Sequence, residues 1–202
     1  MEWFVRNRTS FVHSQYAMGE ANNNFIRMRI YNEATFDIHY IKPIFGAMRF
    51  GEGGENIIKR VPQDLSPVRF EYKPGTTVNN FEIRILSSHL ISEIEGIADT
   101  LPNEVNLSYA SSLVKLILGG DTVNNNLNTL TVKNLPFLQQ IEVRNCPNLK
   151  TDIDLENSTD LRIAKFDGSG VTEVRIGEGC AIETLVLPSS ITHLVLRYLP
   201  KL

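Results

Sequence analysis

Ile182-Glu183-Thr184-Leu185-Val186-Leu187-Pro188-Ser189-Ser190-Ile191-Thr192-His193-Leu194-Val195-Leu196 decides the fold, because it states one short phrase twice. An apolar residue, two variable ones, an apolar residue, one variable one and a last apolar residue run Ile182/Leu185/Leu187 and then Ile191/Leu194/Leu196, with Pro188-Ser189-Ser190 as the turn. The closing part of the phrase has the period of two that places alternate side chains on one side of a strand. Towards the N-terminus the phrase recurs as Val171/Val174/Ile176, Leu138/Ile141/Val143, Leu127/Leu130/Val132 and Leu113/Leu116/Leu118. Two copies are irregular: Leu161/Ala164/Phe166 has a small middle residue, and Leu149/Ile153/Leu155 carries one extra residue.

Alternate copies, beginning at Leu113, Leu138, Leu161 and Ile182 or at Leu127, Leu149, Val171 and Ile191, start 20 to 25 residues apart. That spacing predicts two short strands per coil, stacked coil on coil into a solenoid, since one coil cannot bury its own apolar side. Gly119-Gly120-Asp121, Asn145-Cys146-Pro147-Asn148, Asp167-Gly168-Ser169-Gly170 and Gly177-Glu178-Gly179 punctuate the copies as turns. Glycine and proline at this frequency break any amphipathic helix, so a helical reading fails.

Leu138-Gln139-Gln140-Ile141-Glu142-Val143-Arg144-Asn145-Cys146-Pro147-Asn148-Leu149 resembles the cysteine-bearing form of the leucine-rich-repeat motif, with Cys146 in the slot held by Asn or Cys. The resemblance implies that the slot residue bonds to turn backbone inside the coil. Leu135, Ser169, Gly179 and Ser190 fall at or near the equivalent slot elsewhere, which predicts an incomplete polar ladder. The short coils resemble the irregular repeats of Bacteroidetes surface proteins and of structural proteins in their phages, including crAss-like phages. The likeness covers about half the chain and implies fold more than role.

Before the repeats, Phe25 to Tyr31, Thr35 to Tyr40, Val68 to Tyr72 and Phe81 to Ile85 alternate in the manner of strands with one wet face. Lys73-Pro74-Gly75-Thr76-Thr77 is expected to close a hairpin between the last two. The fold class is therefore mainly β: an antiparallel β domain over 1–86, a degenerate opening repeat or linker over 87–112, and a leucine-rich-repeat-like solenoid over 113–202. The opening repeat is expected to cap the N-terminal end of the stack.

With 202 residues, 42% hydrophobic and 21% charged, the chain can bury one large core or two small ones. A net charge of −3 and the lack of any Lys/Arg run remove the field that attracts nucleic acid, so no nucleic-acid partner is expected. Charges interrupt the apolar residues of Met1-Glu2-Trp3-Phe4-Val5-Arg6, so neither export by the general route nor membrane insertion is expected. Without a secretory route, the acceptor patterns at Asn7, Asn106 and Asn157 carry no glycosylation reading. Cys146 and Cys180 lie inside the repeats, where a thiol acts as a small buried apolar group rather than a disulfide half or a metal ligand.

Chemistry is hard to find. His13, His39, His89 and His193 are scattered over different elements, with no Cys or carboxylate at ligand spacing along the chain. Gly51-Glu52-Gly53-Gly54-Glu55 lacks the lysine and helix of a phosphate loop and reads as a flexible turn. Asp152, Asp154, Glu156 and Asp160 would suit calcium by ligand type, but a solvated coil face is the plainer reading. No metal, cofactor or catalytic residue is expected.

What remains is surface. The variable positions point outward, so Thr129, Thr131, Lys133, Asp152, Asp154, Glu156, Glu173, Arg175, His193 and Arg197 form one ridge, with Gln140, Glu142, Arg144, Lys165 and Asp167 on another. Thr129, Thr131, Lys133, Gln140, Glu142, Arg144, Glu173 and Arg175 are the candidate binding residues. The chain stops at Leu199-Pro200-Lys201-Leu202, inside a ninth segment, where a solenoid needs a polar cap. The expectation is a longer product or an end that docks on another subunit. The reading is a non-enzymatic structural protein, an oligomer in a phage virion or tail, making protein–protein contacts. A bacterial surface leucine-rich binding protein is the alternative, and would need an export signal. An enzyme on the N-terminal domain would need two facing carboxylates about 5–9 Å apart.

Overall fold

In the computed structural model, which describes residues 25–199 except 32, 43–44, 51–55, 73–80, 86 and 97–99, alternation becomes strand wherever one face can be buried. β1 (Ile26–Ile30) buries Ile26, Met28 and Ile30, and β2 (Ala34–Tyr40) buries Ala34, Phe36, Ile38 and Tyr40. β3 (Phe45–Phe50) and β4 (Asn56–Arg60) form an antiparallel pair that the alternation did not announce. β5 (Val68–Tyr72) buries Val68 and Phe70, and β6 (Phe81–Ile85) buries Ile83 and Ile85.

These strands form two layers. β1, β6, β3 and β4 are neighbours in one sheet, while β2 and β5 pair antiparallel in the other. Apolar side chains from both layers meet between them, where the Phe36 and Phe70 rings stack at 5.9 Å between centroids. Ser88 stitches β1 to the end of β6: its Oγ accepts from the Ile26 N–H at 2.7 Å and donates to the Ile85 carbonyl at 2.9 Å. The hairpin expected between β5 and β6 is corrected by this topology, because the two strands lie in different sheets. Pro-Gly favours a tight turn but does not choose the partner strand. The Lys73 to Thr77 segment itself, like Gly51 to Glu55 and His13, lies outside the described residues.

The coils grow from the edges of these layers. β7 (Ile91–Gly96) pairs antiparallel with β2 on one side and parallel with β9 (Lys115–Gly119) on the other. β8 (Glu104–Asn106) likewise pairs antiparallel with β1 and parallel with β10 (Thr129–Thr131). β7 and β8 are thus the first coil, and the N-terminal layers cover it. Four more coils follow: β9 with β10, β11 (Gln140–Arg144) with β12 (Ile153–Leu155), β13 (Ile163–Lys165) with β14 (Glu173–Ile176), and β15 (Thr184–Val186) with β16 (His193–Leu196). The odd strands extend one sheet to seven strands in the order β15-β13-β11-β9-β7-β2-β5. On the other side a six-stranded sheet ends at β10, and β12, β14 and β16 form a separate three-stranded sheet.

The solenoid interior is the apolar phrase itself. Leu116, Leu118, Leu130, Ile141, Val143, Ile153, Leu155, Ala164, Phe166, Val174 and Ile176 are at most 1% exposed and belong to one cluster running from Ile26 to Ile182. Layers and coils therefore share a core. Each corner is closed by a short turn, as when Leu138 N–H donates to Leu135, Leu149 to Cys146 and Leu161 to Ser158 at 3.1–3.2 Å. Ala110, Asn124, Leu135, Cys146 and Ser158 fill these corners, so polar and apolar residues alternate there without a regular ladder. The Cys146 thiol donates to the Arg144 carbonyl at 3.3 Å, whereas the buried Ser158 Oγ has no partner. Ser169 and Ser190 bond backbone carbonyls at 2.7 Å, and Gly179 is exposed with a φ of +76°.

Coils touch so closely at the corners that a Cβ on Gly177 would lie 2.0 Å from the Glu156 carbonyl oxygen. Gly177→Ala is expected to destabilise by about 1–3 kcal/mol through overpacking, and Phe166→Ala by about 3–5 kcal/mol through the cavity it leaves. The half-exposed Phe137→Ala should stay within about 0.5 kcal/mol. Urea unfolding of the three variants checks this ordering. Both cysteines are free and buried, and desolvation pushes the Cys146 thiol up to about 12, so thiol reagents should label native protein only as fast as it unfolds.

Candidate interaction surfaces

Because strand side chains alternate, every inward apolar residue of a coil is flanked by outward ones, and parallel register lines these into rows across coils. The eight candidate binding residues do not form one site. Thr129, Thr131 and Lys133 belong to β10 and its exit, and Glu173 and Arg175 to β14, on one side of the core. Gln140, Glu142 and Arg144 lie on β11, in the continuous sheet on the other. Both sides are polar, and all eight residues are half-buried except the exposed Lys133.

On the continuous sheet, charges of neighbouring coils answer each other. Lys165 Nζ lies 3.0 Å from Glu142 Oε1, and the Gln140 amide donates to the same carboxylate at 2.8 Å. Arg144 donates through Nε to both oxygens of Asp167 at 3.0 and 3.1 Å and stands 3.8 Å from Asp121. The Asp167 hydrogen bonds hold the Arg144 guanidinium above its ordinary pKa. Nearer the N-terminal layers, Arg69 forms two 2.8 Å bonds to Asp37, and these hold the Asp37 carboxyl below the usual aspartate range. Beside that pair, His39 converges with Glu93 and Glu95 across β2 and β7. That cluster corrects the expectation of isolated histidines, because cross-strand pairing joins residues about fifty positions apart and chain spacing carries no trace of it.

The opposite side is broken where β10 and β12 fail to pair. The extra residue of the irregular copy falls here, and the Thr151 hydroxyl stands in for the ladder: it accepts from Leu130 N–H at 3.4 Å and donates to the Asn128 carbonyl at 3.3 Å. A cleft of about 380 Å³ results, lined by Thr131, Lys133, Asp152, Asp154 and Arg175. A second hollow of about 240 Å³, beside Arg27, Arg29, Glu82, Glu104 and Thr129, lies along the same face. Among the described residues, Asp152, Asp154, Glu156 and Asp160 do not converge as a calcium site would require. Asp154 sits 4.0 Å from Lys133, and Glu156 pairs with Arg197 at 3.2 Å.

The fifth coil differs from those beneath it. Val186, Leu194, Leu196 and Tyr198 are 37%, 41%, 38% and 75% exposed, and Leu185, Leu187, Ile191 and Leu199 are only partly buried. One coil earlier, Ala164, Val174 and Ile176, which face Leu185, Leu194 and Leu196, are fully buried, whereas Val186 continues the outward row of Lys165. Among the described residues, no helix is long and apolar enough to cross a membrane.

A double-mutant cycle on Glu142 and Lys165 should give a coupling of about 0.2–1 kcal/mol that shrinks as salt is raised. The depressed Asp37 carboxyl contributes stability that is complete above its unfolded pKa and is lost as pH falls through its folded one. Asp37→Asn should therefore flatten the acid limb of stability against pH, as thermal melts at stepped pH would read. No protein-family model matches the chain, and no curated protein and no solved structure matches it.

Proposed function

We propose that this protein is a non-enzymatic structural component that makes protein–protein contacts through its solenoid, as one subunit of a larger assembly. The observation that carries the reading is the uncovered apolar end of the fifth coil, where Leu194 and Leu196 are exposed and Leu185, Leu187 and Ile191 are only partly buried. Inward-row apolar residues left uncovered in this way are the mark of a surface that another protein element covers. Their rows continue the parallel stacking rows of the coils beneath, so the matching element is a β edge with an apolar inner side. At the opposite end of the stack β1 and β2 already pair with the first coil, which speaks against simple head-to-tail addition of identical chains. Contact between identical chains would therefore be tail to tail about a twofold axis. The paired charges of one flank and the clefts of the other supply polar rims to such a contact.

The resemblance of the coils to phage structural proteins makes a virion or tail the setting we favour for such an assembly. Light scattering over a concentration series tests the reading. Self-association of the 202-residue chain that disappears in Leu194→Lys/Leu196→Lys supports it. A monomer at every concentration, unchanged by the two substitutions, counts against it and favours a stand-alone binding protein.

A further inference from the structure

We propose that His39, Glu93 and Glu95 form a binding site for a divalent transition-metal ion of the zinc type, at the seam between the N-terminal layers and the first coil. Alternation on β2 and β7 turns all three side chains outward, and the antiparallel register sets His39 opposite Glu93 and Asp37 opposite Glu95. The register slips at the His39/Tyr40 step, where Tyr40 faces Ile91 and Ser92 becomes the extra residue of a bulge. Bulges re-aim the side chains beside them, and here Glu93 is one of those side chains. The outcome is an imidazole nitrogen and two carboxylate oxygens that all lie within 4.8 Å of one another.

Charge points the same way. Asp37 is answered by its paired Arg69, but among the described residues Glu93 and Glu95 share a single ammonium, that of Lys115 on β9. Lys115 Nζ lies 3.5 Å from Glu93 and donates a close hydrogen bond to Glu95. Two carboxylates on one face with one cation between them leave a negative charge uncompensated, which a divalent ion satisfies. One imidazole with two carboxylates is a donor set suited to zinc and its first-row neighbours. Calcium and magnesium prefer oxygen alone. Ligand atoms about 2.0–2.2 Å from zinc stand roughly 3.4 Å apart in a tetrahedron, so rotations of these half-exposed side chains close the set. Lys115 is the competitor: its flexible stem lets the ammonium swing away, and the metal takes over its carboxylates. An ion held here would bridge β2 and β7, the strands at which antiparallel pairing gives way to parallel stacking.

The test is calorimetric titration of the metal-stripped, full-length chain with zinc chloride, alongside His39→Ala, Glu93→Gln and Lys115→Met. The expected result is a single equivalent bound by the wild type, with affinity lowered in His39→Ala and Glu93→Gln by at least the roughly 10- to 100-fold that loss of a residue supporting a ligand costs. Affinity should rise in Lys115→Met, where the competing cation is gone. In the imidazole region of the wild-type NMR spectrum, the His39 signals should move with zinc while those of His89 and His193 stay in place, a readout that survives even if a variant fails to fold. Absence of zinc binding to the wild type overturns the proposal whatever Lys115→Met does. Binding that is unchanged in a folded His39→Ala also overturns it.

Discussion

The pairing of β7 with β2 on one edge and with β9 on the other sets the register of every coil that follows. Ile94 sits opposite Ile38 and Leu116, and because a strand repeats every two residues, a slip by one would turn Leu116, Leu118 and their successors into solvent. The coils cannot correct such a slip themselves. Most of their strands are three to five residues long, and each inherits its position from the strand beneath it. β8 repeats the arrangement between β1 and β10, so both sides of the stack are templated at the same level. The N-terminal layers thus provide a first partner for a repeat that has none, and one core runs through both.

That dependence explains what was legible in the sequence. The coils from Leu113 onward were, because each repeats an apolar phrase whose spacing alone implies stacking, and four pairs of strands occupy the places its eight copies mark, while the first pair, β7 and β8, lies in the stretch read only as a degenerate repeat or linker. The alternating N-terminal segments were legible as strands for the same reason. Their partners were not: β5 and β6 are adjacent in the chain yet lie in different sheets, and nothing in Lys73 to Thr77 distinguishes a hairpin from a crossing. β3 and β4 escaped because Phe45-Gly46-Ala47-Met48-Arg49-Phe50 and Asn56-Ile57-Ile58-Lys59-Arg60 lack a clean alternation.

The surface residues divide in the same way. Their outward orientation followed from the repeat, but their grouping did not, since Thr131 and Glu142 are close in sequence and lie on different sides of the core. His39, Glu93 and Glu95 come together only through the register of β2 and β7. Contacts that follow the repeat interval, such as Glu142 with Lys165, can be read by counting; contacts between the layers and the first coil cannot.

The irregular fourth copy of the phrase shows how one residue changes the character of a whole side. Thr151 and Asp152 lengthen the approach to β12, and the Thr151 hydroxyl takes over ladder bonds that a strand would have made. The side that carries β10 and β12 is therefore two sheets, while the side that carries β9 and β11 is one. A continuous ladder resists bending because every inter-strand bond must deform together, whereas a side-chain bridge has only the strength of its own hydrogen bonds, about 1 kcal/mol each. The ladder of that side is weakest at the Thr151 level for that reason, beside the cleft lined by Lys133, Asp154 and Arg175.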